Sequence, residues 1–177
     1  MDDIGNQPGD STEVVTLSER DDHFLRYALQ LAMRSKEADR HPFGAIVVDE
    51  DGNILAEAGN NSMPPGGDPT QHAERLAAAS AARKISPQVL AKSTLYTNAE
   101  PCAMCAGAIY WCNIGRVVYA MSEQRLLELT GDHPENPTLS LPCRTVFASG
   151  QRVVEVIGPV AAVEQEAAEP HIGFWLK

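Results

Sequence analysis

The sequence predicts an α/β sandwich built around a mixed β-sheet. Along most of the 177 residues, short apolar segments typical of strands alternate with longer segments of helical periodicity. This alternation is typical of domains in which helices cover the faces of a sheet. Hydrophobic residues make up 44% and charged residues 21% of the chain. That balance indicates a globular domain with a single core.

The first predicted elements are a helix and a strand hairpin. A helix over about residues 19–38 is expected because Ser18 supplies an N-cap and apolar residues recur on one stripe. The His-Pro pair at 41–42 ends this pattern. Apolar runs over 45–48 and 54–58 predict two strands, since an Asp-Gly turn lies between them.

The later elements continue the alternation. Alanine-rich sequence favours a helix, Pro101 suits a first helical turn, and Ser122 is a second N-cap. Helices are predicted over 71–84, 101–112, 122–129 and 161–169, strands over 93–98, 116–121 and 153–157, and loops over 59–70 and 131–142. With a flexible arm at 1–17, we expect one domain over 18–177.

The charge balance restricts the partners. The formal net charge is -10, whereas proteins that bind nucleic acids usually present a basic surface to the phosphates. The sequence shows no membrane-spanning apolar run and no signal-peptide pattern at its acidic start. We therefore expect a cytoplasmic protein whose partner is a small neutral molecule, and neither a nucleic acid nor a membrane.

Two short motifs carry the chemistry, His72-Ala73-Glu74 and Pro101-Cys102-Ala103-Met104-Cys105. Cys102 and Cys105 lie three positions apart at a helix start, where the helix dipole stabilises thiolates, and His72 supplies a neutral ligand from another helix. Three protein ligands leave one tetrahedral position of a zinc ion open for water, as in catalytic sites. Glu74 lies beside the metal, where its carboxylate can carry protons.

Other interpretations of these motifs are a redox pair, a closed structural zinc site and a solvated helix face. A closed site needs a fourth ligand, but Cys112 and Cys143 lack a second C-x-x-C spacing. The order H-x-E followed by P-C-x-x-C is typical of zinc deaminases, and it favours a catalytic site.

The chain resembles the cytidine and deoxycytidylate deaminase superfamily. Besides the two motifs, the resemblance is carried by His41-Pro42-Phe43-Gly44-Ala45, Asn60-Asn61 and the residues that surround the two cysteines. It implies a three-layer α/β/α sandwich with a five-stranded mixed sheet, one zinc ion per subunit and a homodimer.

The resemblance also implies substrate contacts. Asn61 falls where an asparagine bonds the substrate ring, and Gly44 and Ala45 fall where the backbone approaches it. Ala73 and Glu100 are expected to contact the base and its amine through their backbones. Two C-terminal features are candidates as well: Asp132 as a second proton shuttle, with Glu135 in reserve, and the segment 158–177, in which Trp175 either covers the pocket as a lid or packs into the core.

The expected reaction is zinc-dependent hydrolytic deamination of a nucleobase. Phe43 within Pro42-Phe43-Gly44-Ala45 and the loop around Asp132 resemble guanine deaminase, so conversion of guanine to xanthine and ammonia is the first hypothesis. Cytosine, a nucleoside or an aminotriazine is the alternative substrate. An adenosine of tRNA is a further alternative, but the helix predicted over 161–169 is acidic and would repel phosphate. A zinc-stabilised binding domain without catalysis is the non-enzyme alternative, which the presence of Glu74 disfavours.

Overall fold

A computed structural model of the protein describes residues 17–176. The arm predicted at 1–17 therefore lies, except for Leu17, outside the described residues. The helices are α1 (Glu19–Glu37), α2 (Ala73–Ala82), α3 (Pro87–Leu90), α4 (Ala103–Trp111), α5 (Glu123–Thr130), α6 (Cys143–Ala148) and α7 (Ala161–Ala168), followed by 3₁₀ turns at Glu169–His171 and Phe174–Leu176. The strands are β1 (Gly44–Val48), β2 (Ile54–Gly59), β3 (Thr94–Ala99), β4 (Arg116–Met121) and β5 (Glu155–Ile157).

The five strands form one mixed sheet in the order β2-β1-β3-β4-β5. Strand β1 pairs antiparallel with β2 and β3, whereas β3, β4 and β5 run parallel. Helices α1 and α7 contact each other and the sheet, and α2 contacts the sheet and α4. Because helices cover both faces, every residue of β1 is buried. The predicted α/β/α sandwich with a five-stranded mixed sheet is confirmed.

Helix α1 is fastened at its start to the middle of the sheet. Ser18 Oγ accepts a hydrogen bond from Asp21 N at 3.0 Å, so the predicted cap is confirmed. The buried Asp21 carboxylate accepts hydrogen bonds from both terminal nitrogens of Arg116, at 2.7 and 2.8 Å, and from the Tyr96 hydroxyl at 2.7 Å. Among the described residues, no helix is long and apolar enough to cross a membrane.

Two short helices, α3 and α6, were not predicted. Each spans only four to six residues, which is too short to produce a periodic apolar pattern. The boundaries of two other helices also differ from the prediction. Helix α2 begins at Ala73 with His72 as its N-cap, and α4 begins at Ala103 with Cys102 as its N-cap. These two shifts place His72 and Cys102 at helix ends and not within helices.

Candidate active site

Two helix N-termini meet at one point and bring the two motifs together. His72 and Cys102 both have extended backbone angles, and neither side chain caps its own helix. Both side chains are free to turn toward the same place, where Cys105 joins them from the first turn of α4. The ligand atoms of His72, Cys102 and Cys105 all lie within 4.8 Å of one another. This is the cluster that the sequence predicts.

The donor set fits zinc. One imidazole and two thiols are ligands that Zn²⁺ prefers, and its bond lengths place neighbouring donors about 3.5 to 3.8 Å apart in a tetrahedron. The distance between His72 Nδ1 and Cys102 Sγ is 3.6 Å. Three protein ligands leave one position of such an ion open. His72, Cys102 and Cys105 would hold the ion, and a water activated for attack is the chemistry it supplies when bound.

The electrostatics of the cluster favour a cation. A hydrogen bond from Cys105 lowers the pKa of Cys102 to about 4, and the bond to His72 and the helix N-terminus act in the same direction. The same Cys102–Cys105 bond, together with burial, raises the pKa of Cys105 well above its usual range. A divalent ion held by both sulfur atoms would stabilise both as thiolates and displace any remaining thiol proton.

Glu74 lies next to the ligands in a buried position. Its side chain is 4% exposed, and burial raises its pKa. The Thr97 hydroxyl donates to Glu74 Oε1 at 3.2 Å, and the Cys105 thiol lies 3.6 Å from Oε2. A carboxyl group held in this way beside a metal site, with a raised pKa, is suited to taking up and releasing protons.

A cavity of about 450 Å³ opens in front of the cluster. His72, Cys102, Phe43 and Glu123 line both this cavity and a narrower recess against Glu74. The outer wall comes from the loop 131–142, which contributes residues from Pro134 to Leu139. Any ligand at the metal is therefore enclosed by residues far apart in the sequence.

Of the neighbouring residues Asn60 and Asn61, Asn60 lines the cavity and Asn61 does not. Asn60 is buried and lines the cavity, and its Oδ1 accepts from Ser62 N and Oγ at 2.8 and 2.7 Å. That arrangement leaves the Asn60 amide nitrogen for a ligand. Asn61 instead donates to Gly66 O at 3.3 Å and to Gln71 Oε1, within its own loop. In an Asn-Asn pair, the sequence does not indicate which member faces inward.

The structure gives Gly44 a different role from the expected one. A Cβ at this position would lie 2.6 Å from Ala32 N and from Leu31 Cβ, so the glycine is required by the close packing of α1. Ala45 is fully buried beneath the cavity wall and does not line the cavity. The expected approach of this backbone to a substrate stays a prediction.

Ala73 and Glu100 also contribute to the packing and hydrogen bonding of the fold. Ala73 is fully buried at the start of α2. The Glu100 carboxylate accepts from Glu123 N at 3.1 Å and from Cys143 N at 3.0 Å, and so binds the starts of α5 and α6. Glu100 also lines the recess. The predicted backbone contacts of both residues with a base remain untested.

Asp132 does not reach the site. It is exposed and is not among the residues that line the cavity. The reserve candidate, Glu135, does line the cavity, and its Oε2 lies 3.0 Å from His41 Nε2. His41 is buried, and its Nδ1 lies 3.2 Å from Ser62 Oγ. Asp132 is exposed to solvent after Gly131, while the loop reaches the cavity two residues later, at Pro134.

Trp175 lies behind the cavity wall and does not line the cavity. It is 5% exposed and contacts the rings of His41 and Phe43 at centroid distances of 4.9 and 6.4 Å. Its Nε1 donates to His171 Nδ1 at 3.2 Å. Of the two predicted alternatives, core packing describes this residue. His171 is itself buried, at 1% exposed.

Glu123 is a site residue that the sequence analysis missed. It begins α5, is 7% exposed and lines both the cavity and the recess. Burial, together with the negative charges of Cys102 and Glu74, raises its pKa to about 8. An acidic residue directly after the N-cap Ser122 is ordinary in sequence, because it suits the helix dipole. The sequence therefore gives no indication that Glu123 lies in the site.

The fold and this site define a zinc-dependent deaminase. A family model described as the cytidine and deoxycytidylate deaminase zinc-binding region matches residues 18–121, and the chain belongs to this family.

Several relatives and solved structures are similar over long stretches. A probable cytosine deaminase of Schizosaccharomyces pombe is 42% identical over 159 residues, which cover 90% of this chain and 94% of the relative. A tRNA-specific adenosine deaminase of Haemophilus influenzae is 43% identical over 108 residues, 61% of this chain and 62% of the relative. A solved guanine deaminase from Nitrosomonas europaea superposes with a TM-score of 0.66 at 26% identity, over 89% of this chain and 86% of that one.

Proposed function

We propose that this protein catalyses the hydrolytic deamination of a free nucleobase, with cytosine as the first candidate substrate and uracil and ammonia as products. The observation that carries the proposal is the enclosed cavity in front of His72, Cys102 and Cys105, with Glu74 at its inner end. A cavity of about 450 Å³ has the size of a small-molecule site.

The residues of the chain divide the work of such a reaction. Phe43 supplies an apolar wall for a flat ring, and the Asn60 amide can bond a ring carbonyl. Glu74 takes one proton from the attacking water and passes it to the ring nitrogen. It then takes the second proton of that water, from the hydroxyl now on the ring carbon, and gives it to the amine, which leaves as ammonia as the carbonyl forms. Enclosure by the loop 131–142 excludes bulk water, which strengthens these polar contacts.

Cytosine is the first candidate because of the sequence match to the probable cytosine deaminase of Schizosaccharomyces pombe. The match to the probable cytosine deaminase covers 159 of 177 residues, so it includes the loop 131–142 wherever its ends lie. That loop forms the outer cavity wall. This relative is 42% identical over the aligned stretch, whereas the Nitrosomonas europaea guanine deaminase is 26% identical over a stretch of similar length, so the cytosine deaminase is the better guide to the substrate.

Guanine is the second candidate, and two observations favour it. The sequence Pro42-Phe43-Gly44-Ala45 resembles guanine deaminase, and Phe43 lines the recess. The Nitrosomonas europaea guanine deaminase also superposes over most of both chains. A tRNA substrate is disfavoured because Asp39 and Glu135 line a pocket that adjoins the cavity mouth, and carboxylates repel phosphate.

The test is ammonia release by purified zinc-loaded protein. The substrates are cytosine, guanine, cytidine, guanosine, an aminotriazine and a tRNA anticodon stem-loop with adenosine at the wobble position. We expect release from cytosine, with nucleosides and the stem-loop slower by at least a hundredfold, on the order of a site that rejects an ill-fitting substrate. Glu74→Gln protein with equal zinc content is the control for contaminating activity. Release from guanine alone would select the second candidate, and release from no free base would contradict the proposal.

A further inference from the structure

One carboxyl group in the site has no role in the scheme above. The Glu123 backbone N–H is bound by Glu100, which fixes the start of α5. Its side chain is more than nine-tenths buried. Among residues 17–176, the Glu123 backbone N–H makes the hydrogen bond of this residue, and the buried side-chain atom left without a partner is His171 Nε2, not a Glu123 oxygen. The Glu123 carboxyl oxygens are therefore open to the spaces that the residue lines. A carboxyl group that faces an enclosed space can accept a hydrogen bond from a ligand placed there, and it loses water as a partner when the ligand fills that space.

The position of Glu123 indicates that this ligand is the substrate. The residue lines the same recess as His72, Glu74 and Cys102, and it lines the wider cavity as well. It therefore stands at the junction between the reacting end of the site and the space where the rest of the ligand lies. Asn136, from the loop 131–142, lines both spaces beside it.

We propose that the Glu123 carboxyl group accepts a hydrogen bond from a ring N–H of the bound base and thereby selects free bases over nucleosides. This inference rests on the proposed function. In a free base the nitrogen that would carry the sugar bears a hydrogen, which is the donor that a carboxyl oxygen requires. In a nucleoside that hydrogen is replaced, so the carboxyl group would stay buried without a partner.

The proposed hydrogen bond to the ring N–H does not depend on the ionisation of Glu123. A carboxyl group has an acceptor oxygen whether it is charged or neutral, so the N–H can be bound in either state. Sites that bond a substrate N–H reject analogues without it strongly, because their buried polar groups are then left unpaired. The competing explanation is that Glu123 only stabilises the start of α5.

The experiment pairs a change in the protein with a change in the substrate. Zinc-loaded wild type, Glu123→Ala and Glu123→Gln are compared on cytosine and 1-methylcytosine, or on guanine and 9-methylguanine if guanine is the substrate. We expect wild type to prefer the unmethylated base by at least about 100-fold in kcat/KM and Glu123→Ala to prefer it by less than about 10-fold. Glu123→Gln keeps the side-chain volume and one acceptor oxygen, so its preference should lie between these values.

A binding measurement separates recognition from turnover. Uracil and 1-methyluracil, the products of the pyrimidine pair, are titrated calorimetrically into the same proteins, with xanthine and 9-methylxanthine as the purine equivalents. The affinity ratio should fall in parallel with the kcat/KM ratio. Glu128→Gln is the matched control, because Glu128 is an exposed carboxylate on the same helix that pairs with Arg125. It should keep the wild-type preference.

The outcomes distinguish the two proposals. If Glu123→Ala and Glu123→Gln lose activity equally on both substrates and keep the wild-type ratio, Glu123 has only a structural role and the inference is wrong. A wild type that shows no preference between the two substrates also overturns it. If wild type releases ammonia from no base, the proposed function itself fails.

Discussion

Two parts of the active site are built in different ways. The metal corner comprises His72, Glu74, Cys102 and Cys105, and it is held by the N-termini of two helices. The cover comprises the loop 131–142, which lines the cavity, and the segment 169–176, which packs behind the cavity wall; it is formed by irregular chain and two 3₁₀ turns. The metal corner uses short motifs, whereas the cover gathers side chains that share no spacing. The chemistry of this site is therefore encoded locally, whereas its substrate selection depends on residues that are far apart in the sequence.

The cover acts on the metal corner through the cavity wall. Trp175 supports His41 and Phe43, and both of these line the cavity. Glu135 from the loop reaches His41 as well. Substitutions in the metal corner should therefore abolish catalysis, while substitutions in the cover should alter the stability of the fold and the affinity for substrate.

The largest effect is expected from Glu74→Gln in the metal corner. Loss of the proton carrier should reduce kcat by a factor of about 100 to 10,000, because a glutamine amide cannot take up the proton. Zinc content, measured by atomic absorption, should stay near that of wild type because Glu74 is not a ligand. A variant with near-normal kcat would contradict the assigned role.

Trp175→Ala in the cover should act mainly on stability. Truncation of a buried aromatic residue costs about 3 to 5 kcal/mol in the free energy of unfolding, and the loss of wall support should raise KM more than it lowers kcat. Urea unfolding and steady-state kinetics measure the two effects. Leu176→Ala is the control, since Leu176 is 88% exposed. Equal losses in both variants would show that the wall does not depend on Trp175.

A smaller effect is expected at the two neighbouring asparagines. Asn60→Ala removes a hydrogen bond from the cavity and should lower kcat/KM about 10-fold, the equivalent of about 1.4 kcal/mol. Asn61→Ala changes contacts inside its own loop and should lower it less. The reverse order would mean that Asn61 turns into the cavity when substrate binds, as the sequence interpretation expected.

The last prediction concerns the stability of the scaffold that both regions share, and not the reaction. Burial would raise the pKa of Asp21, but hydrogen bonds from Arg116, Tyr96 and Ser18 outweigh it and lower the pKa to about 2, from 3.8. The carboxylate therefore stabilises the fold above pH ~4, and this contribution is lost as the pH falls toward ~2. Unfolding of wild type and Asp21→Asn should differ by a constant free energy above pH ~5, and the difference should shrink below pH ~4. If the difference in unfolding free energy between wild type and Asp21→Asn stays constant down to pH ~2, the titration of Asp21 beside Arg116 does not contribute to the pH dependence of stability.

Much of the fold was predictable because its main elements carry strong local patterns. Ser18 and Ser122 were recognised as N-caps, and both accept the expected backbone hydrogen bonds. The five strands were recognised from apolar runs between turn residues. The helices α3 and α6 were missed because they are too short for a period to develop.

The sequence by itself determined the metal corner. His72, Glu74, Cys102 and Cys105 lie within two short motifs, and helix geometry fixes the positions of the residues within each motif, while the packing of α2 against α4 brings the two motifs together. Tertiary packing places Asn60 and not Asn61 at the cavity, leaves Asp132 exposed outside it, and brings Glu123 and Glu135 into its lining. The physical reason is that a helix start fixes the relative positions of neighbouring residues, whereas a cavity wall depends on how loops and separate elements pack together. No spacing along the chain records that packing.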